Sequence, residues 1–231
     1  MTGECIILAG GLGTRLRSVV ADKPKCMAPV GDHPFLYYLL HYLHKQGMQH
    51  AVLSLGYKSE QVISWCENTT LPLRVSFTVE PEPLGTGGGI MYALPALDGN
   101  EVFIINGDTY FDADLAVFHA FHEASKSPLS LALKPMQHFS RYGSIELGDN
   151  NVITAFKEKQ YCTAGLINGG IYLTTADYLK SLSLPEIFSF EKDVLEPQVA
   201  TGKLYGFVSD TYFIDIGIPE DYEAAQKVLQ T

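Results

Sequence analysis

The chain is short of positive charge. Its 16 lysines and arginines stand against 26 aspartates and glutamates in 231 residues, a formal net charge of -10. A broad nucleic-acid surface needs a basic face, so that class of partner is excluded. Cysteine is sparse as well. Cys5, Cys26, Cys66 and Cys162 lie far apart with no CxxC spacing, which argues for free thiols in a reducing compartment rather than a zinc site or a disulfide framework. Long hydrophobic runs are missing too: the most apolar stretch, FLYYLLHYL, is too short to span a bilayer. The opening MTGECIILAGG has neither the basic region nor the long apolar core of a secretory signal. A cytoplasmic protein with no membrane partner is expected.

What is present is an ordinary globular composition, 46% apolar and 18% charged, at a length that suits a single domain spanning 1–231. Short apolar runs alternate with helical patterns through the first half. CIILA, HAVLSLGY, RVSFTVE and VFIIN read as strands. PFLYYLLHYLHKQG, SEQVISWCE, GGGIMYALPAL and DLAVFHAFHEA read as helices, the first stopping at Gly47. Such alternation predicts an α/β fold, a Rossmann-like and mostly parallel sheet with helices on both faces. The second half reads as a smaller mixed α+β portion, with strands in LSLAL, YGSIEL, NVITAF and NGGIYL and helices in FEKDVLEPQVA and PEDYEAAQKVL. In open α/β sheets, ligands sit beyond the C-terminal ends of the strands.

One loop concentrates the missing cations. After the first strand comes LAGGLGTRLRSVVADKPKCMAPV, Leu8 to Val30, which holds glycines together with Arg15, Arg17, Lys23 and Lys25. Glycine permits positive φ and close approach of backbone N–H groups to a ligand, so the loop is suited to cradling phosphates. It is neither of two common phosphate loops. No GK[ST] triplet is present, and Leu16 stands where a GxGxxG fingerprint needs its third glycine. A tight turn with a solvated basic rim accounts for the glycines equally well. Two cations flanking the loop favour a polyphosphate, whose charge must be neutralised before a nucleophile can approach.

GGLGTRLR…KPKCMAPV resembles the signature of the sugar-1-phosphate nucleotidyltransferases. EPEPLGTGG, NGD, FKEK, NGGIY and FIDIGIPEDY follow in that family's order and cover nearly the whole chain. The resemblance implies a GT-A-like nucleotidyltransferase fold, with about 1–110 as a nucleotide-binding half and about 111–231 as a sugar-phosphate-binding half. It implies catalytic roles for Arg15, Lys25 and Asp108, and a nucleotide site on Leu8, Ala9, Gly10, Gly11, Gly13, Thr14, Arg15, Glu80, Gly85, Thr86 and Asp108. Gly143, Glu158, Lys159 and Asn168 fall at sugar-phosphate positions, and Asp108 and Asp215 at those of a shared Mg²⁺. Taken singly, Asp108 and Asp215 are as much at home as strand-end or capping residues, and Lys159 as a solvated lysine. Asp193 fits the family without an assignable role.

Glu80 bears on the base. A carboxylate accepts from both N1–H and the 2-amino group of guanine, whereas uracil and thymine present carbonyl oxygens beside a single N3–H. GTP is the nucleotide expected, with a surface glutamate as the alternative. RYGSIEL, LINGGIYL and FSFEKDVLEP narrow the resemblance to heptose 1-phosphate guanylyltransferases, in which proline usually stands at the position of Cys26. The sequence ends on PEDYEAAQKVLQT, without the C-terminal extension common in mannose 1-phosphate guanylyltransferases, so heptose is expected over mannose. Products would be pyrophosphate and a GDP-sugar, and the family suggests a homodimer. The alternatives within the family are a mannose 1-phosphate guanylyltransferase or another sugar-1-phosphate uridylyl- or thymidylyltransferase, and outside it a non-catalytic nucleotide-sugar sensor or a nicotinamide oxidoreductase. The pairs His41/His44 and His119/His122 read as residues of amphipathic helices rather than metal ligands.

Overall fold

A computed structural model describes residues 3–11, 13, 16, 19–20 and 22–229. The first half runs β1 (Glu4–Leu8), a small hairpin of β2 (Pro29–Val30) and β3 (His33–Pro34), α1 (Phe35–Lys45), β4 (His50–Leu55), α2 (Ser59–Glu67), β5 (Arg74–Val79), α3 (Gly85–Ala93), β6 (Glu101–Asn106), β7 (Thr109–Phe111) and α4 (Leu115–Ser125). The second half adds β8 (Leu129–Phe139), β9 (Ser144–Leu147), β10 (Ile153–Lys157), β11 (Cys162–Thr175), α5 (Ala176–Ser181), α6 (Glu196–Val199), β12 (Leu204–Val208), β13 (Phe213–Asp215) and α7 (Pro219–Val228).

Local chemistry sets the limits of these elements. Pro34 precedes α1, and beyond its end Gly47 takes φ +90. Asp114 caps α4 by accepting from the backbone N–H groups of Ala116 and Val117, satisfying donors that a helix start leaves unpaired. A nine-stranded sheet holds the molecule together in the order β10-β9-β11-β6-β1-β4-β5, with β8 on β11 and β12 on β8. β5, β4, β1 and β6 are mutually parallel, whereas β11 joins β6 antiparallel, β8 and β9 pair antiparallel with β11 and β10 with β9, and β12 runs parallel to β8.

The strand side chains alternate between two cores. Cys5, Ile7, Leu53, Phe103 and Ile105 face the layer of α1, α2 and α4, while Ile6, Val52, Val102 and Ile104 face α3 and α5. Both faces of the parallel segment are therefore covered, which explains why β4 is buried along its whole length. Phe103 meets Phe118 edge-on at a centroid separation of 5.9 Å, and truncating either to alanine should cost about 3–5 kcal/mol. A third, smaller cluster gathers Leu16, Val20, Phe35, Ile214, Ile216 and Ala225, packing the start of the chain against its last helix.

β8 and β11 run well beyond the stretches LSLAL and NGGIYL, because each pairs with the other along most of its length. The segment expected as the helix FEKDVLEPQVA divides into a π-helical turn, Glu191–Leu195, followed by α6.

Candidate active site

The order β5-β4-β1-β6 places β1 between the strand that follows it in sequence and one reached by a crossover the other way. Loops leaving β1 and β6 thus diverge and leave a crevice between them. Close backbone packing lines it. Ala9 N–H donates to Ser54 O at 2.9 Å, and a Cβ on Gly56 would stand 3.0 Å from Gly10 O. Gly107 N–H donates to Leu8 O, and a Cβ there would come within 2.6 Å of that oxygen, so glycine is required between Asn106 and Asp108. The resulting cleft has a volume of about 620 Å³.

At one end stand three charges brought together from distant parts of the chain. Asp108 immediately precedes β7, and β7 pairs with β13 so that Thr109 lies opposite Asp215. This ribbon sets the two carboxylates side by side, with Ile216 N–H donating to Asp108 O at 3.0 Å. Lys25 enters from a 3-10 turn, Lys25–Met27, fixed by Met27 N–H on Pro24 O. Its ammonium pairs with the Asp108 carboxylate and lies 3.5 Å from Asp215 Oδ1. Burial, then the neighbouring Asp108 carboxylate, raises the Asp215 carboxyl above the usual range; Lys25 and the Gly217 N–H at 2.7 Å oppose this. Tyr142 OH lies 3.5 Å from Asp215 Oδ2, and Arg141 reaches both that hydroxyl, at 2.8 Å, and Asp221 on α7. Two repelling carboxylates with one ammonium leave a net negative charge and hard oxygen donors, a set that fits a divalent cation such as Mg²⁺.

The other end of the cleft is acidic. Glu80 follows β5, where its N–H donates to Leu55 O at 2.9 Å. Its Oε2 accepts from Leu84 N–H at 3.0 Å, while a Cβ on Gly89 would come within 2.5 Å of its Oε1. Glycines in α3 also admit the segment ahead of the π-helical turn: the Phe188 ring fills the space a Cβ on Gly87 would need. Thr86 Oγ1 then donates to Glu191 Oε2 at 2.7 Å and accepts from Phe190 N–H at 2.9 Å.

Of the residues singled out in sequence, Leu8, Ala9, Gly10, Gly11, Lys25, Glu80, Gly85, Thr86 and Asp108 wall this one cleft. Gly13, at φ +57, packs against the Lys25 side chain. Thr14 and Arg15 lie outside the described residues. Gly143, Glu158, Lys159 and Asn168 stand apart from the cleft wall, on the mixed part of the sheet. Gly143 immediately precedes β9, where a Cβ would press on Lys157 O, and Glu158 and Lys159 follow β10 exposed to solvent. Asn168 is tied within the fold, donating to Tyr172 OH at 2.9 Å and accepting from Gly170 N–H at 3.0 Å. Asp193 accepts from Ser189 N–H at 2.8 Å and so closes the turn it belongs to.

Tyr142 and Glu191 were not read as site residues. RYG and FEKD carry them in plain view, but nothing in their spacing says that the first meets Asp215 and the second meets Thr86. Cys26 does line the cleft, yet burial pushes its thiol up to about 12, so it packs rather than reacts. The histidines are structural: His41 bonds Tyr37 O, His119 pairs with Glu101, and His122 bonds Ser130 Oγ.

A Rossmann-like sheet with a glycine-walled cleft and a Lys25–Asp108–Asp215 cluster at its switch point defines a nucleotidyl-transferring enzyme. The chain belongs to the nucleotidyl transferase family, whose model matches residues 4–231. It is similar to the D-glycero-alpha-D-manno-heptose 1-phosphate guanylyltransferase of Aneurinibacillus thermoaerophilus, 50% identical over 227 residues and covering 98% of each chain. It is also similar to the enzyme of that name from Campylobacter jejuni, 43% identical over 219 residues, covering 95% of this chain and 96% of that one. The crystal structure of HddC from Yersinia pseudotuberculosis complexed with GMP-PN shares the fold with a TM-score of 0.87 at 40% identity, covering 97% of this chain and 98% of the other.

Proposed function

We propose that this enzyme transfers the guanylyl group of GTP to D-glycero-α-D-manno-heptose 1-phosphate, giving GDP-heptose and pyrophosphate. The observation that carries the reaction is the Lys25 ammonium held between Asp108 and Asp215 at one end of a cleft of about 620 Å³, a size that suits a nucleotide. The sugar phosphate oxygen attacks the α-phosphorus, the bond from that phosphorus to the bridging oxygen breaks, and pyrophosphate leaves with the electron pair. No covalent enzyme intermediate is needed, so catalysis consists of positioning and charge neutralisation.

Lys25 neutralises charge where the two substrates meet. Amides of the loop from Gly10 to Thr14 hold the triphosphate, and Arg15 stabilises the departing pyrophosphate. Asp108 and Asp215 would hold Mg²⁺, which when bound offsets the phosphate charge. Glu80, on the wall of the acidic end, supports guanine, since its carboxylate accepts from two adjacent N–H donors. Lys159 takes the phosphate of the sugar phosphate, and Glu158, Asn168 and Gly143 take the sugar itself. A reaction that consumes GTP belongs in the cytoplasm, in keeping with the four free cysteines. Among the described residues no helix is long and apolar enough to cross a membrane.

Pyrophosphate release with Mg²⁺ tests the reading, with GTP, ATP, CTP, UTP and dTTP each offered heptose, mannose and glucose 1-phosphates. Turnover confined to GTP and the heptose phosphate is expected. Turnover with UTP or dTTP would overturn the role of Glu80, and GTP turnover with mannose 1-phosphate alone would overturn the sugar.

A further inference from the structure

One carboxylate on the cleft wall, that of Glu191, has no part in the reaction proposed above. Glu191 opens the π-helical turn and lines the cleft together with Lys25, Asp108 and Thr86. π-Helical turns are rare and recur at functional sites, because they re-aim a side chain that an α-helix would point elsewhere.

The side chain is held in place. Its Oε2 accepts from Thr86 Oγ1 at 2.7 Å and from Ser189 Oγ at 3.0 Å. The backbone around it is latched to α3 and the residue before it: Phe188 N–H donates to Leu84 O, Gly87 N–H to Phe188 O, and Phe190 N–H to Thr86 Oγ1. The glycines of α3 make this approach possible, since a Cβ on Gly85 or Gly88 would press to 2.4 Å on the carbonyl oxygen of Phe188 or Glu186. Beyond Glu191 lies the buried Tyr172, whose phenol is pushed up by burial and further by the Glu191 charge, and whose hydroxyl accepts from Asn168. Glu191 thus bonds Thr86, placed above on the nucleotide side, and its charge reaches Tyr172, which accepts from Asn168, placed above on the sugar side.

A fixed carboxylate repels phosphate, so the substrate group it faces must be a neutral donor. With the guanine N–H donors already assigned to Glu80, the neutral donors left on both substrates proposed above are hydroxyls. We propose that Glu191 is a specificity-determining residue that accepts hydrogen bonds from a substrate hydroxyl pair through the oxygen not engaged by Thr86. This rests on the guanylyl-transfer reading for the identity of the substrates. Two sources share the chemistry: the ribose 2′- and 3′-hydroxyls of the nucleotide and the ring hydroxyls of the sugar phosphate.

The test compares wild type with Glu191→Ala and Glu191→Gln. Pyrophosphate release is measured with GTP, 2′-deoxy-GTP and 3′-deoxy-GTP, and KM is measured for the heptose phosphate at saturating GTP. A hydrogen bond to a charged group is worth about tenfold to a hundredfold. If the ribose is held, the preference for GTP over at least one deoxy analogue collapses by about tenfold or more in E191A, with E191Q between the two. If the sugar is held, that preference is unchanged and KM for the heptose phosphate rises by about tenfold or more while KM for GTP stays within about twofold. A loop that has merely loosened lowers all three nucleotides by one factor and leaves both ratios unchanged, which overturns the proposal, as do variants that match wild type. Should wild type fail to turn over GTP with the heptose phosphate, the reaction reading falls by itself. Calorimetric binding of GTP against the two deoxy analogues then decides Glu191, and equal losses of both in E191A overturn it.

Discussion

The two halves of the molecule present their proposed ligand-binding residues in different ways. In the parallel half, groups that face the cleft project from loops pinned at the ends of buried strands: Gly10 against Gly56, Gly107 against Leu8 O, Glu80 on Leu55 O. Much of that surface is backbone, and the strands behind it are covered on both faces. In the mixed half, Glu158 and Lys159 follow an outlying strand, β10, and stand in solvent. There the β11 bulge is fixed by close packing, with Gly170 at φ +73 set against the Asn106 side chain. A backbone grip tolerates few substitutions near its glycines, whereas a grip made of long exposed side chains loses affinity without losing the fold.

The largest expected effect breaks the symmetry between the halves at the reacting centre. Asp108→Asn should lower turnover by about a thousandfold or more while circular dichroism and Tm stay near wild type. Near-normal turnover would remove Asp108 from the site. In the mixed half, Lys159→Ala should raise KM for the sugar phosphate by about tenfold or more and leave KM for GTP within about twofold. An equal change in both would mean that the two halves do not divide the substrates.

The comparison sharpens further on stability. Gly107→Ala forces a Cβ to within 2.6 Å of Leu8 O and should cost about 1–3 kcal/mol, or roughly 2–10 °C in Tm. Gly165→Ala in β11 meets side chains and no backbone, the Phe139 ring at 3.2 Å and Ser144 Cβ at 3.6 Å, and should cost less. Equal losses in thermal melts would contradict the contrast.

The smallest effect concerns Asp215. Its folded-state carboxyl is raised above the ordinary value, so the native protein binds that proton more tightly than the unfolded chain does. Its contribution to stability therefore declines as pH rises from the ordinary carboxylate value through the raised one. Asp215→Asn should accordingly raise Tm slightly at pH 7 in the presence of EDTA, and the difference should vanish toward pH 4. Added Mg²⁺ should raise the Tm of wild type more than that of the variant. A lower Tm for D215N at pH 7 would show that its bonds to Gly217 and Lys25 outweigh the repulsion from Asp108.

Much of the first half was legible because its elements follow local rules. The helix SEQVISWCE occupies Ser59–Glu67 as read, and HAVLSL and EVFIIN are strands whose apolar runs match burial on both faces. The hairpin β2–β3 and the strands β7 and β12 were not read, since elements this short or this lacking in pattern are made by their partners. β8 and β11 outran their apolar cores for the same reason: long-range pairing extends a strand through residues whose own propensity is neutral.

The sequence by itself determined the chemistry available, namely a glycine loop after a strand, cations in an acidic chain, and aspartates at strand ends. Each of those signals lies within a few neighbouring residues, where periodicity and turn chemistry act. What only the tertiary structure decided is which of them meet. The β7–β13 ribbon sets Asp108 beside Asp215 and lets Lys25 stand between them. Packing of Phe188 into the α3 glycines brings Glu191 to Thr86. Contacts across so much chain depend on how the sheet closes and which surfaces it buries, and no local pattern encodes that.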